Sequence, residues 1–303
     1  MRRIIKGPRV TWIDIQDPVK EDVDYLRKNF HFHSLVLGEL IPFGHRPKAE
    51  AYKKYLFMTF YYPVHIKDKR ETRPRELDII VTKDVLITCH YKSIVPLKSL
   101  FDKCNIYPDV KKRYMNWSAG YLLYLLLNSI WKSYLTKLDR INAKIENIEQ
   151  DIFIGKEKEM VREISLVKTD IINFWRIVEP QEETLDSLAK EGEKFFGERF
   201  SPYFADIIGT FGKSWNALKT YKETIESLED TNHSLLSTKT NEIIQLLTVF
   251  SVILLPLTLI ASIWGMNVNL PFDESPAGFW IIVVIMLVLM GFLFSFFKKK
   301  RWL

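Results

Sequence analysis

The sequence predicts an α+β domain, a small mixed sheet with flanking helices and a helical hairpin, followed by a long stalk helix that continues into a two-helix transmembrane region. Three observations carry this. Short runs rich in β-branched and aromatic residues are confined to roughly the first 90 positions. Apolar residues then recur at three- and four-residue steps for most of the remaining chain. Finally, two uncharged apolar runs, Ile243 to Trp264 and Phe279 to Phe297, stand near the end, and each has about the 20 residues a bilayer-spanning helix needs.

Taken in order, Val10 to Ile15 reads as a strand. Asp17-Pro18 then reads as a helix start, with Asp as cap and Pro in the first turn. His31 and His33 lie on the connection to a short helix, Leu35 to Leu40; a His pair at this spacing offers two metal ligands, but no Cys or acid cluster stands beside it. Arg46-Pro47-Lys48 is expected to turn. Tyr55 to Val64 is an aromatic strand, Lys67 to Arg75 a polar connection, and Leu77 to Thr82 with Val85 to His90 a hairpin around Lys83-Asp84.

Helix takes over near Ser93 and dominates after Ser118. Tyr121 to Trp131 is very apolar but too short to span a bilayer, so it is expected to be buried against the sheet. Leu135, Leu138, Ile141, Ile145, Ile148 and Ile152 continue it to Gly155, and a return helix carries Val161, Ile164, Val167, Ile171, Trp175 and Val178. The pair predicts a helical hairpin. Its acids, among them Glu146, Glu149 and Glu163, are mixed with lysines, as on an ordinary solvated face. Ser201-Pro202 opens the last long helix, which is expected to run about 60 residues, or about 90 Å. The expected divisions are 1–200 for the cytosolic domain, 201–242 for the stalk, 243–264 for the first span, 265–278 for an outer loop, 279–297 for the second span and 298–303 for a basic tail.

The outer loop holds Asp273 and Glu274 and no Lys or Arg, whereas Lys298-Lys299-Lys300-Arg301 follows the second span. Positive charge stays on the cytoplasmic side. Both termini are therefore expected in the cytoplasm, in a multi-pass protein of the inner or plasma membrane. The net charge of +6 comes from Lys and Arg interspersed with Asp and Glu, which reads as a solvated surface and not a nucleic-acid footprint. Cys89 and Cys104 suit a reducing compartment. No GxxxxGK loop, Cys/His zinc spacing or Gly-x-Ser-x-Gly occurs, so neither an enzyme nor an ATP-driven pump is expected, nor any bound cofactor.

The first span carries a polar stripe. Asn241, Thr248, Ser251, Thr258 and Ser262 recur at spacings of seven, three, seven and four, and Ile244, Leu247 and Leu255 fill the gaps. A lone Ser or Thr in a membrane helix often only bonds its own backbone. Five polar residues on one face suit a water-filled path or a helix–helix seam, and because one helix cannot enclose a path, the path requires a symmetric oligomer.

Gly265-Met266-Asn267, directly after the first span and ahead of a short loop and a Lys-rich tail, resembles the CorA family of magnesium channels. Lys239-Thr240-Asn241-Glu242, Pro256-Leu257-Thr258 and the closing basic residues resemble it too. The resemblance implies a homopentamer in the lipid bilayer that conducts divalent cations, with magnesium as transported ion and regulatory ligand and Gly265-Met266-Asn267 as the outer selectivity site. Magnesium gives up its waters reluctantly, and a stripe without carboxylates suits contact through the first water shell. Asn267 would present its side-chain carbonyl to that shell, and Asp273 and Glu274 would concentrate cations outside it. Leu247 and Leu255 read either as hydrophobic constrictions that close by dewetting or as seals in helix packing.

Cobalt, nickel or zinc transport is the alternative on the same architecture, and Met266 argues against the zinc branch, which typically has Gly-Ile-Asn. A non-conducting membrane-tethered sensor is the alternative of another class, and it has no use for the stripe. The resemblance also implies an acid at Asp206 that shares a regulatory magnesium with an acid of the neighbouring subunit. The matching segment here is Glu50-Ala51-Tyr52-Lys53-Lys54, so weak or absent magnesium regulation is expected, with Glu50 as the nearby acid.

Overall fold

The first strand the chain makes is one its charge conceals. In the computed structural model, which describes residues 1–42, 44–66, 71–266 and 276–302, β1 (Arg2–Lys6) pairs antiparallel with β2 (Thr11–Gln16). Among the described residues the sheet has six strands in the order β1-β2-β6-β5-β4-β3, completed by β3 (Lys48–Ala51), β4 (Leu56–Ile66), β5 (Glu71–Val81) and β6 (Val85–His90). β2 and β6 run parallel and every other neighbouring pair runs antiparallel, so the sheet is mixed.

Period-two alternation sends β2 into two cores. Ile13 and Ile15 join Val23, Leu26 and Leu37 from α1 (Lys20–Asn29) and α2 (Ser34–Glu39), together with Phe57, Ile80 and Ile87. Trp12, on the opposite face, meets Phe101 of α3 (Val95–Ile106) edge-on at 5.0 Å and donates Nε1–H to Thr88 at 3.1 Å. α4 (Pro108–Met115) leads to α5 (Ala119–Phe153), capped by Ser118, whose Oγ accepts from the Tyr121 amide. Leu122, Leu126 and Trp131 of α5 are buried, and Trp131 lies edge-on to Phe60 of the sheet at 6.2 Å.

α5 and α6 (Glu157–Val178) form the expected hairpin around Gly155, whose φ of 93° suits a residue without Cβ. Three local expectations fail. The polar connection expected over Lys67 to Arg75 is strand in its second half, where Glu71 to Arg75 of β5 pair with Tyr62 to Ile66 of β4; its first half lies outside the described residues. Asp17 does not cap α1; it turns the chain at φ 51° and accepts from the Lys92 amide at 3.0 Å, a bond that holds its carboxyl below the usual range. α1 begins later, where Asp22 reaches back to the Val19 amide at 3.3 Å. Val161 is 52% exposed and Met160 takes the inward position.

α7 (Gln181–Phe196) covers β3 and β4, pinned by Gln181, which accepts from the Tyr61 amide at 3.0 Å. α8 then runs as one helix from Ser201 to Trp264, and α9 spans Pro276–Lys299. The chain divides into two compact units, Met1–Glu229 and a second from Asp230 onward. In the first, Ile207, Phe211, Trp215, Leu218 and Ile225 of α8 are buried, and Trp175 packs on Trp215 at 4.3 Å. Both cysteines belong to this unit and are buried, Cys89 to 1% exposure and Cys104 to 0%. Burial raises both thiols, that of Cys104 to about 11.

Candidate functional site

The second unit is built from two helices long and apolar enough to cross a membrane. In α8, Pro256 has no amide hydrogen, which leaves the Val252 carbonyl without its usual partner; membrane helices tolerate this where other groups satisfy the carbonyl. Exposure divides α8 lengthwise. Val249 is buried, and Ile253, Ile260 and Trp264 are half-buried on the same side. α9 has a matching stripe of lower exposure through Ile282, Met286, Leu289, Leu293 and Phe297. These are the faces on which the two helices of the unit can pack together.

Asn241, Ile244, Leu247, Thr248, Ser251, Leu255, Thr258 and Ser262 are all exposed. At about 100° per residue they centre roughly 160° around the helix from the Val249 side. A single chain covers none of them, and Leu247 and Leu255 stand 65% and 67% exposed.

The hydroxyls on this face are oriented. Thr248 donates to the Ile244 carbonyl at 2.7 Å, Ser251 to Leu247 at 2.9 Å and Thr258 to Leu254 at 2.9 Å. Each has one hydrogen and two lone pairs. With the hydrogen committed to the helix, these three hydroxyls present only acceptor oxygen outward. Such a surface takes hydrogen bonds from water, and the waters around a cation point their hydrogens outward. These three positions therefore suit a hydrated cation, and the Asn241 amide at the inner end of the stripe offers both a carbonyl acceptor and N–H donors.

The helix ends as Gly265 donates to Ala261 at 3.0 Å and Met266 to Ile263 at 3.2 Å. Gly265 and Met266 thus follow a helix C-terminus, the partially negative end that attracts cations. Asn267, Asp273 and Glu274 lie outside the described residues.

Asp206 belongs to the first unit, on the opening turns of α8. Its Oδ2 accepts from Tyr124 Oη at 2.9 Å and from Asn128 Nδ2 at 3.1 Å, both neutral donors on α5. Burial, and next the Asp206 carboxylate, raise the Tyr124 phenol. Glu50 accepts from Lys48 at 3.0 Å and from Tyr52 at 3.1 Å within its own chain, while Lys53 and Lys54 are exposed. Among the described residues no three His, Cys, Asp or Glu side chains converge on a metal position. His33 Nδ1 accepts from the Leu35 amide at 3.2 Å, so His33 of the His31/His33 pair serves as a helix cap.

Sequence reasoning found the stripe but not the direction of its hydroxyls, and it found Asp206 but not Tyr124 and Asn128. The signal for those two was available: they sit at i and i+4 on one face of α5.

Residues 8–299 match the family model described as CorA-like Mg2+ transporter protein. The chain is 28% identical over 297 residues to the cobalt/magnesium transport protein CorA of Thermotoga maritima, covering 97% of this chain and 83% of that one. It is 25% identical to the cobalt/magnesium transport protein CorA of Methanocaldococcus jannaschii, covering 97% and 92%. The solved structure of the complete CorA magnesium transporter from the latter organism superposes with a TM-score of 0.84 at 24% identity, over 97% of this chain and 92% of that one.

Proposed function

The chain belongs to the CorA-like Mg2+ transporter family, membrane transporters of divalent cations, and from that premise we propose that it is a passive magnesium channel selecting the hydrated ion at Gly265-Met266-Asn267. One observation carries the reading: a face of α8 that is exposed in the single chain and presents acceptor oxygens between apolar side chains. Copies of the chain arranged around an axis, a homopentamer as in the family resemblance, would turn that face inward as a water-filled path. Leu247 and Leu255 would form its constrictions, closing by dewetting.

No energy source beyond the membrane potential is needed. A potential of 100 mV is worth about 2.3 kcal/mol per charge, so about 4.6 kcal/mol for a dication, on the order of a thousandfold in accumulation. The acidic loop lies outside and the basic tail inside, with both termini cytoplasmic, following the charge asymmetry around the two spans.

Regulation by a magnesium ion between subunits is weak or absent in this reading. Asp206 is held by neutral donors of its own chain, and Glu50 already has a lysine. The test of transport is the purified chain in liposomes with an entrapped magnesium indicator and an imposed potassium diffusion potential. Uptake that grows as the interior becomes more negative is expected. Uptake indifferent to potential, or none, would overturn the channel reading.

A further inference from the structure

The N-terminal unit holds a second candidate site, remote in chemistry from cation transport. A cleft of about 400 Å³ opens where the α4–α5 connection meets the start of α8. Pockets for small ligands typically span roughly 300–1,000 Å³. Two guanidinium groups, Arg9 and Arg199, line it together with Trp117, Tyr121 and Tyr203. Both arginines are exposed, and neither has a carboxylate partner among the described residues.

The aromatic wall is likewise open. Trp117 is 66% exposed although its ring lies only 5.5 Å from that of Tyr121, and Tyr121 meets Tyr203 edge-on at 5.6 Å. A flat ring beside Trp117 would find a π-face already held in place by its neighbours. Ser118, the cap of the 35-residue α5, also lines the cleft, so the positive end of that helix opens there.

We propose that this cleft binds a nucleoside phosphate, with the base stacked on Trp117 and the phosphates bridged by Arg9 and Arg199. Guanidinium matches phosphate geometry with two parallel hydrogen bonds. Base stacking on an aromatic side chain is sequence-tolerant, which leaves the choice of base open to the experiment.

The test is calorimetric titration of the full-length chain in detergent with ATP, ADP, pyrophosphate and adenosine, all under saturating magnesium so that chelation adds no heat. Saturable binding of ATP or ADP is expected, with pyrophosphate and adenosine each weaker. Arg9→Ala and Arg199→Ala should each weaken ATP about tenfold or more, the effect of losing about 1.4 kcal/mol, and Arg199→Lys should lose less. Trp117→Ala should weaken ATP and leave pyrophosphate unchanged. These positions are exposed, so thermal melting should confirm that the variants fold. Absence of saturable nucleotide binding overturns the proposal. So does equal affinity for pyrophosphate and ATP with Trp117→Ala silent, which marks a plain anion site. Loss of oligomer mass in the arginine variants without nucleotide binding by the parent also overturns it, since the arginines then serve a neighbouring copy.

Discussion

In the first unit the large apolar side chains are mostly hidden; in the second they are mostly bare. Trp12, Phe57, Leu126 and Trp131 are 0% exposed, whereas Leu255, Val288 and Phe292 are each 67% exposed. Among the described residues from Asp230 onward, Val249 and Phe297 are the buried apolar side chains. The same driving force explains both halves. At about 25 cal/mol per Å² of apolar surface removed from water, the first unit folds by covering itself, while the second leaves its apolar surface for a membrane to cover. Substitutions should accordingly act on stability in one unit and on conduction in the other.

The largest expected effect is on conduction. Asn267→Ala removes an amide oxygen after the Gly265-Met266 pair, and magnesium uptake in liposomes should be lost with the oligomer's mass unchanged. Undiminished uptake would remove Asn267 from the selectivity site. Next is Trp131→Ala, which should destabilise the first unit by about 3–5 kcal/mol, the usual cost of emptying a large aromatic position in a core. Denaturant titration of the detergent-purified chain measures it; a midpoint equal to the parent's would break the comparison.

Leu255→Ser should wet a constriction and raise basal leak severalfold at equal expression, with melting unchanged. A leak no faster than the parent's would leave Leu255 as a packing seal.

A smaller effect sharpens the comparison inside the first unit. Asp78 is 3% exposed and accepts from Thr59 at 2.7 Å; burial, and next the nearby Glu76, push its carboxyl well above the usual range. A carboxyl raised in the folded state favours folding while protonated, below the unfolded value near 3.9, and that contribution is lost as pH rises through the folded value. Asp78→Asn should therefore stabilise the chain at pH 7, read as a denaturant midpoint above the parent's. The difference should vanish towards pH 4. Asp14 behaves oppositely: burial raises it, but His90, Arg3 and Thr88 together hold it below the usual range, so its contribution is present above pH 4 and lost in acid. The smallest expected effect is none: protease protection should respond little to magnesium in the parent, and Asp206→Ala should not change that. Strong magnesium-dependent protection that disappears in the variant would establish a regulatory ion at Asp206.

Which elements were legible depends on how much pattern their burial leaves. β2, β4 and the α5–α6 hairpin advertise themselves because one or both faces are apolar. β1 and β3 lie at the two sheet edges, and their sequences RRIIK and KAEA lack the β-branched alternation that marks a strand. α7 went unread although Leu185 and Leu188 carry a helical pattern and Glu182 and Glu183 suit its first turn. Asp17-Pro18 misled because Asp also adopts positive φ, and nothing local shows that the Lys92 amide is waiting for it. At the stripe, spacing reveals which residues share a face, but the direction of a hydroxyl hydrogen is settled by the carbonyl one turn back. The cleft is invisible in sequence, since Arg9, Trp117 and Arg199 come from segments far apart in the chain.

The burial of both cysteines has an experimental consequence. Water-soluble alkylating reagents attack exposed thiolates, and Cys89 and Cys104 offer neither exposure nor ionisation at neutral pH. The unmodified chain is thus chemically silent. A cysteine placed singly at each position from Asn241 to Ser262 would be the only reactive one, and its labelling rate from either side of a bilayer would trace which face of α8 meets water and where along the helix that water stops.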